Sequence, residues 1–543
     1  MLLDLRACES TYETQAQVCI VGAGAAGITL ARRLGEAGID TILLETGGAD
    51  HEDAVQSLAR GKNLGHDYWE LEESRLRFFG GTTAIWGGRC AEFDPIDFDR
   101  KDWVAHSGWP ISYDDLAPYY ADARRRLGLP AKQEASEIWQ SLGEVAPAFA
   151  RGNLTTDFWQ FTPETEQFTL RKCDDLVASP HVRILLHATL TGLKTDDARE
   201  TVRTVEASDI SGRRARIAAR HVVLAAGGIE NARLLLACNL GNRHDQVGRY
   251  FMEHPHARGG EIVKGELWQL LRQFGRHVRD PQGNKHAALI KPSAEMQQRE
   301  GILGSAFNLG AVQKEQSRQI ATMRAYNALR HDLSPSARNR AFWLKAKKTV
   351  LRLHEWVDPA RSRMLVAGGW SAAAVIRAEQ APNPDSRVML GQSIDALGMR
   401  EAALDWRFSE IDKHTIAVMM KAFAGELQRL GLGRFDPAPW IDEAETLWHT
   451  DPLICTHHKG GYHHMGTTRM SGSPREGVVD AECRVHGMNN LHVAGSSVFS
   501  TSGWANPTLG IAALGLRLAD RLEKDLAGVA DVETGLRRAS GDY

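Results

Sequence analysis

The sequence predicts a fold of mixed class, α/β plus α+β: a discontinuous Rossmann-like nucleotide-binding domain interrupted by a substrate domain built on an antiparallel sheet. Three observations predict it. First, an apolar run, Val18 to Val21, passes through Gly22-Ala23-Gly24-Ala25-Ala26-Gly27 into a helical stretch. Second, glycine-rich, small-residue turns return from about residue 455 and end in Leu491 to Ser497 and Asn506-Pro507-Thr508. Third, the region between 257 and 454 has no phosphate-type loop and only weakly alternating strand and helix signals. The chain then divides into 1–105 (nucleotide-binding, first part), 106–170 (substrate or cap region), 171–256 (nucleotide-binding, second part), 257–454 (substrate domain) and 455–543 (nucleotide-binding, C-terminal part with active-site residues).

The N-terminal elements follow in order. Strand, G-x-G-x-x-G turn and helix (Ile28 to Ala37) are the arrangement a dinucleotide fingerprint requires. Gly22 permits the tight turn, Gly24 lets backbone approach a pyrophosphate, and Gly27 lets helix pack on strand. Ala25 and Ala26, inside the turn, belong with the glycines to the nucleotide-binding set, and the helix that follows turns its unpaired N–H groups toward the phosphates. A second apolar run, Thr41 to Leu44, ends in Glu45 and Thr46, and an acid ~20 residues past the first glycine suits the ribose hydroxyls. The competing reading of such a motif alone is an ordinary strand-to-helix turn. A second glycine-rich loop contains Gly80, Gly81, Thr82, Thr83, Ile85 and Trp86. Ser112 with Asp115 forms a capping box for a helix running toward Leu127. Strands are expected at Val182 to Leu186 and Val202 to Ala207. A third strand, His221 to Leu224, enters the small-residue turn Ala225-Ala226-Gly227-Gly228, with a helix from near Asn231.

At 543 residues two or three domains are expected. Hydrophobic residues at 43%, charged at 24% and a net charge of −3 describe an ordinary globular chain with no general drive toward nucleic acid or anionic membrane. Seven cysteines without a C-x-x-C pair point to reduced thiols and a cytoplasmic setting. Asp4 arrives too early for a secretory signal, and the longest apolar stretch, Met364 to Ile376, is too short to span a bilayer. The basic amphipathic stretch Arg338 to Trp356 admits a membrane-surface helix, against a solvated helix on the domain's outer face. No membrane contact is expected from it.

The candidate chemistry lies near the C-terminus, in Gly461-Tyr462-His463-His464-Met465-Gly466-Thr467, the turn at Ala494 and Gly495, and the helix opened by Asn506. Asn506 before Pro507 is a strong helix start, so Asn506 is read either as a cap alone or as an active-site residue at a positive helix end. Histidines crowd at His449, His457, His458, His463 and His464. Cys455, His457 and His458 lack zinc-ligand spacing, and no metal is expected.

Together these motifs resemble the glucose–methanol–choline (GMC) family of FAD-dependent oxidoreductases. The resemblance rests on the Gly22–Gly27 fingerprint with Glu45, Gly80-Gly81-Thr82-Thr83, Gly108-Trp109-Pro110-Ile111-Ser112-Tyr113, Ala225 to Asn231, His463-His464-Met465-Gly466-Thr467 and Asn506-Pro507-Thr508. The nearest likeness is to the sugar-oxidising branch, similar to pyranose oxidases and the flavin subunits of fructose or gluconate dehydrogenases. The resemblance implies that His463 takes the proton of a substrate hydroxyl while hydride passes to flavin N5, with Asn506 as the second active-site position. His464 is implied to be a packing or flavin-edge residue. Members that attach FAD covalently carry a histidine where this chain has Ile85, so dissociable FAD is expected. The partners implied are a small molecule, a carbohydrate or glycoside, and an electron acceptor: oxygen, a quinone or a redox protein. The competing readings are a redox-silent lyase of the hydroxynitrile type, an NAD-dependent dehydrogenase and a non-catalytic binding protein.

Overall fold

The computed structural model describes residues 1–9, 11–311, 349, 371–455 and 457–540, with side chains through 528. The basic stretch 338–356 lies outside the described residues apart from Thr349, as does the first half of the apolar stretch 364–376.

Two eight-stranded sheets organise the chain. The first has a parallel core in the order Leu2–Asp4, Val182–Leu186, Thr41–Leu44, Tyr12–Val21, Arg214–Leu224. The long strand Arg214–Leu224 serves two neighbours on its far side. Its first part pairs antiparallel with Val202–Ser208, which pairs in turn with Thr189–Thr195, and its last residues pair parallel with Leu491–Val493. Val18, Cys19 and Ile20 are buried on both faces of the sheet. A continuous apolar run at this position is what a parallel strand covered on both sides demands.

Register decides where the turns meet. Leu44 pairs with Val21, Val21 with Leu224, and Leu224 with Val493, so four strands end level at one edge. The turns after residues 21, 44, 224 and 493 therefore converge at the carboxyl ends of the strands, where open α/β sheets bind ligands.

The first helix is Ala25–Glu36, three residues ahead of the start expected at Ile28. Gly24, extended at φ −88° and ψ −169°, is the residue before it, and Gly27 lies inside it. A Cβ at Gly27 would stand 1.9 Å from the Gly22 carbonyl oxygen, so glycine here serves close packing and not helix termination. The helix Gly228–Ala237 also begins three residues earlier than expected, directly after Gly227 at φ 90°. Tyr113–Arg126 opens on the expected reciprocal cap: Ser112 Oγ accepts from the Asp115 N–H at 3.2 Å, and Asp115 Oδ2 accepts from the Ser112 N–H at 2.8 Å. The C-terminal helix, Pro507–Ser540, packs on both Ala25–Glu36 and Tyr113–Arg126. Arg33 ties it down through Asp520 and Glu523.

The second sheet is antiparallel, in the order Gly433–Pro437, His256–Gly265, Ala372–Arg377, Ala306–Ala311, Lys285–Pro292, Leu154–Phe161, Arg89–Cys90, with Val278–Arg279 added to Lys285–Pro292. It draws short strands from well before residue 257, and Arg89–Cys90 follows directly on the loop that holds Gly80 to Trp86. Among the described residues a three-stranded sheet (Arg387–Ile394, Arg400–Asp405, Gly61–Asn63) makes up the remainder of the sheet structure. The fold is thus a Rossmann-like parallel sheet joined to a domain on an antiparallel sheet. Among the described residues no helix is long and apolar enough to cross a membrane.

Candidate active site

A cavity of about 1140 Å³ lies where the converging turns of the parallel sheet face the antiparallel sheet. Pockets for drug-sized ligands span roughly 300–1,000 Å³, so this one has room for a dinucleotide-sized group and a small second molecule. Every residue that the sequence nominated lies on its wall except Gly27 and Ala494. Gly27 is turned against Gly22, as described above. Ala494 is buried behind the wall, where its carbonyl accepts from Asn231 Nδ2 at 3.1 Å.

The glycines on the wall act in two ways. Gly22 adopts φ 106°, and a Cβ there would meet the Ala225 carbonyl oxygen at 2.8 Å, so this turn tolerates no side chain. Gly24 and Gly227 have nothing within 4 Å of an added Cβ. Their backbone is left open toward the cavity. Behind this floor, the fully buried Asn231 clamps two turns together. Its Oδ1 accepts from the Ala226 N–H at 2.8 Å, and its Nδ2 donates to the Ala494 carbonyl and to Ser497 Oγ.

Glu45 ends its strand inside the cavity at 6% exposure. Its carboxylate accepts from the Ala23 N–H at 2.9 Å and the Gly47 N–H at 3.1 Å. Burial pushes its pKa up, against the pull of these N–H donors. The Trp86 indole N–H, also on the wall, is buried with no acceptor among the described residues. Open glycine backbone, helix N-termini at Ala25 and Pro507, a buried acid and an unpartnered indole donor suit a large polar cofactor with phosphates and a ring system.

At the other side of the cavity a chain of rings ends on Asn506. His254 Nε2 lies 2.8 Å from the Gly503 carbonyl oxygen and 3.2 Å from that of Ser502. Carbonyls only accept, so His254 Nε2 carries the proton. Burial pushes the His254 pKa down to about 4, so the ring is neutral and its Nδ1 is a lone pair. His463 Nδ1 sits 2.9 Å from that lone pair and must donate to it. His463 Nε2 is therefore bare, and Asn506 Nδ2 donates toward it at 3.3 Å. This network assigns the tautomer of the candidate base. Burial, with the neighbouring His254, His256, His464 and Arg89, holds His463 well below the usual histidine range.

Glu253 fixes the backbone of the same group. Its carboxylate, fully buried, accepts from the N–H groups of His254, Gly461 and His463 and from the Tyr68 hydroxyl at 2.6 Å. Tyr68 also meets His464 Nε2 at 3.0 Å, and His464 lines the cavity beside His463. The sequence reading singled out neither Glu253, His254 nor Tyr68. The cluster Glu253-His254-Pro255-His256 was a visible signal, but nothing in the sequence joined it to a histidine 209 positions later. Among the described residues no group of three His, Cys, Asp or Glu side chains is placed to hold a metal ion.

With this geometry in view, comparison with known proteins is informative. The model of the family described as FAD dependent oxidoreductase matches residues 17–250, and that described as GMC oxidoreductase matches 382–515. The chain thus carries a GMC oxidoreductase C-terminal part behind an FAD-dependent oxidoreductase part. Among curated relatives, 6'''-hydroxyparomomycin C oxidase of Streptomyces lividus is 26% identical, over 94% of this chain and 92% of its own. The fructose dehydrogenase large subunit of Gluconobacter japonicus is 24% identical over 95% and 99%. The C-glycoside 3-oxidase of Microbacterium trichothecenolyticum is 25% identical over 90% and 81%. The solved structure of pyridoxine 4-oxidase from Mesorbium loti shares the fold at TM-score 0.53 and 16% identity, covering 93% of this chain and 99% of that one. The two matches make this chain an FAD-dependent oxidoreductase.

Proposed function

We propose that the enzyme oxidises a hydroxyl of a small carbohydrate or glycoside to the carbonyl, with His463 Nε2 as the base. The observation that carries this reading is the array His254–His463–Asn506, which leaves one bare imidazole nitrogen on the cavity wall beside an amide donor. FAD, when bound, supplies the electron sink that accepts hydride from the alcohol carbon. Gly24 and the Ala25 helix would hold its pyrophosphate, Glu45 its ribose, and Gly81 to Thr83, Gly227, Gly495 and Thr508 the remainder. Ile85 offers no nucleophile for covalent attachment, which supports dissociable FAD.

The rest of the chemistry belongs to the chain. Asn506 Nδ2 shares the substrate hydroxyl with His463, directing its proton at the bare Nε2. As that proton arrives, the imidazolium passes charge toward His254 through the Nδ1–H bond, and neither ring needs to reorient. Glu253 keeps His254 and His463 in register through their backbone N–H groups. A neutral base at working pH suits general-base catalysis, worth roughly 10²–10⁴ in rate. The division into a nucleotide-binding part (1–105, 171–256, 455–543) and a substrate part is included in this reading. So is a reducing compartment such as the cytoplasm, which the seven unpaired cysteines support.

The test is anaerobic reduction of the bound flavin by a panel of sugars and glycosides. His463→Ala is expected to keep its FAD and lose at least about 10²-fold in the reduction rate. Full-speed bleaching in that variant would remove His463 from the proposed role.

A further inference from the structure

We propose that the substrate carries an oxyanion, a carboxylate or a phosphate, held by Arg89 and Arg377 in the same cavity. This rests on reading that cavity as the seat of alcohol oxidation. Both arginines belong to the antiparallel sheet and both line the cavity with His254, His463 and Asn506. Arg89 pairs across the strands with Phe161, and Arg377 with His256. Their guanidinium carbons stand over one ring: Arg89 lies 4.6 Å and Arg377 5.1 Å from the centroid of Trp159, an indole only 1% exposed.

Among the described residues neither guanidinium forms an ion pair with an Asp or Glu. Arg377 Nη1 donates to the Asn308 amide, and the interactions of the Arg89 side chain are with the faces of Trp159 and Phe161. Arg75 and Arg77, on the same wall, both reach the carboxylate of Glu230, which Arg233 shares, so each has an acid within ion-pair distance. A guanidinium does not shed its proton, and two like charges buried together on one indole are costly without a counter-charge. The described part of the chain supplies none at this point, so the counter-charge comes with the ligand. A guanidinium over a ring face keeps its edges for N–H donation, and apart from the Arg377 Nη1 bond to Asn308 those edges can grip a planar or tetrahedral oxyanion.

The placement also couples recognition to chemistry. Arg89 is near enough to His463 for its charge to help keep the imidazole neutral. An oxyanion seated on Arg89 cancels that field and strengthens the base as substrate binds. A site built in this way rejects a neutral analogue strongly and a polyaminated sugar more strongly still.

The experiment uses the FAD-loaded enzyme with D-glucuronate, D-glucose 6-phosphate, D-glucose and D-glucosamine as probes. One of the two anions is expected to reduce the flavin with at least tenfold higher kcat/KM than glucose, and glucosamine to be poorest. The better anion names carboxylate or phosphate. R89Q and R377Q are expected to lose at least tenfold more efficiency with that anion than with glucose, and R89K to recover part of the loss. In a second arm, malonate and inorganic phosphate are titrated into the same proteins, with binding read as a perturbation of the flavin absorbance. Saturable binding that weakens at least tenfold in R89Q and R377Q is expected. If no sugar reduces the flavin, the oxidation reading fails and this binding arm alone judges the anion site. The proposal is overturned by equal or better turnover of glucose or glucosamine, or by no saturable anion binding. Loss of FAD in place of anion discrimination in the arginine variants overturns it too.

Discussion

Replacing His254 with leucine isolates the step that sets the tautomer of His463. In the native array His254 Nε2 is committed to two carbonyls, and its Nδ1 takes the proton of His463 Nδ1 at 2.9 Å. Leucine removes that acceptor and leaves the His463 Nδ1–H without a partner. A buried donor stranded in this way costs about 1–3 kcal/mol. His463 relieves the cost by moving its proton to Nε2, where it points at Asn506 and the substrate, and the base is then blocked. If the whole penalty biases the tautomer, the active form falls about 5- to 150-fold, since ~1.4 kcal/mol is a factor of ten. The assay is stopped-flow anaerobic flavin reduction at saturating sugar. The limiting rate is expected to drop by that factor, with FAD content retained and KM changed less than about threefold. His254→Asn, whose amide oxygen can accept from Nδ1, is expected to recover part of the rate. An unchanged limiting rate in His254→Leu would refute the tautomer argument, as would equal losses in the leucine and asparagine variants.

Three further outcomes are expected. Two glycines of one motif should fail differently: Gly27→Ala places a methyl 1.9 Å from the Gly22 oxygen and should cost about 1–3 kcal/mol in the melting of the apoprotein, whereas Gly24→Ala meets nothing within 4 Å and should leave that melt unchanged while weakening FAD in a titration. Asn231→Ala leaves the buried Ala494 carbonyl and the half-buried Ala226 N–H without their partner, and chemical denaturation should show a loss of about 1–3 kcal/mol. The pH profile carries a sign: His463 must be neutral to act, and its pKa is held well below the usual 6.5, so kcat/KM for a neutral sugar should not fall between pH 8 and pH 6; a decline centred near 6.5 would show an unshifted base.

The nucleotide-binding side of the fold was legible because its signals are local. A buried run, a glycine turn and a capped helix each lie within a dozen residues, and the strand expected at Val182 to Leu186 has those bounds. The reciprocal cap of Ser112 and Asp115 was readable for the same reason. The helices begin at Ala25 and Gly228, three residues ahead of the starts the sequence suggests, because Gly27 and Gly228 enter their helices to admit close backbone neighbours. The reaction side was half legible. His463 and Asn506 stand in recognisable local motifs, but His254 depends on a pairing across 209 positions. The gathering of Arg89 and Arg377 on Trp159 depends on the order of strands in an antiparallel sheet. Alternation along a strand tells which face a side chain takes and is silent about which strand lies beside it.

The edge strand Leu491–Val493 has a consequence for how the enzyme is made. Ribosomes deliver about 5–20 residues each second, so the Gly22–Gly27 turn is outside the tunnel long before its roof has been translated. Until Leu491–Val493 and the turn at Asn506 emerge, one flank of Val222 to Leu224 lies bare, and neither Asn506 nor Pro507 is present to shut the chamber. Flavin loading accordingly waits for residues some 470 positions after the first glycine turn. Nascent chains halted before residue 490 should be as colourless as the unloaded protein, however well their first two hundred residues have folded.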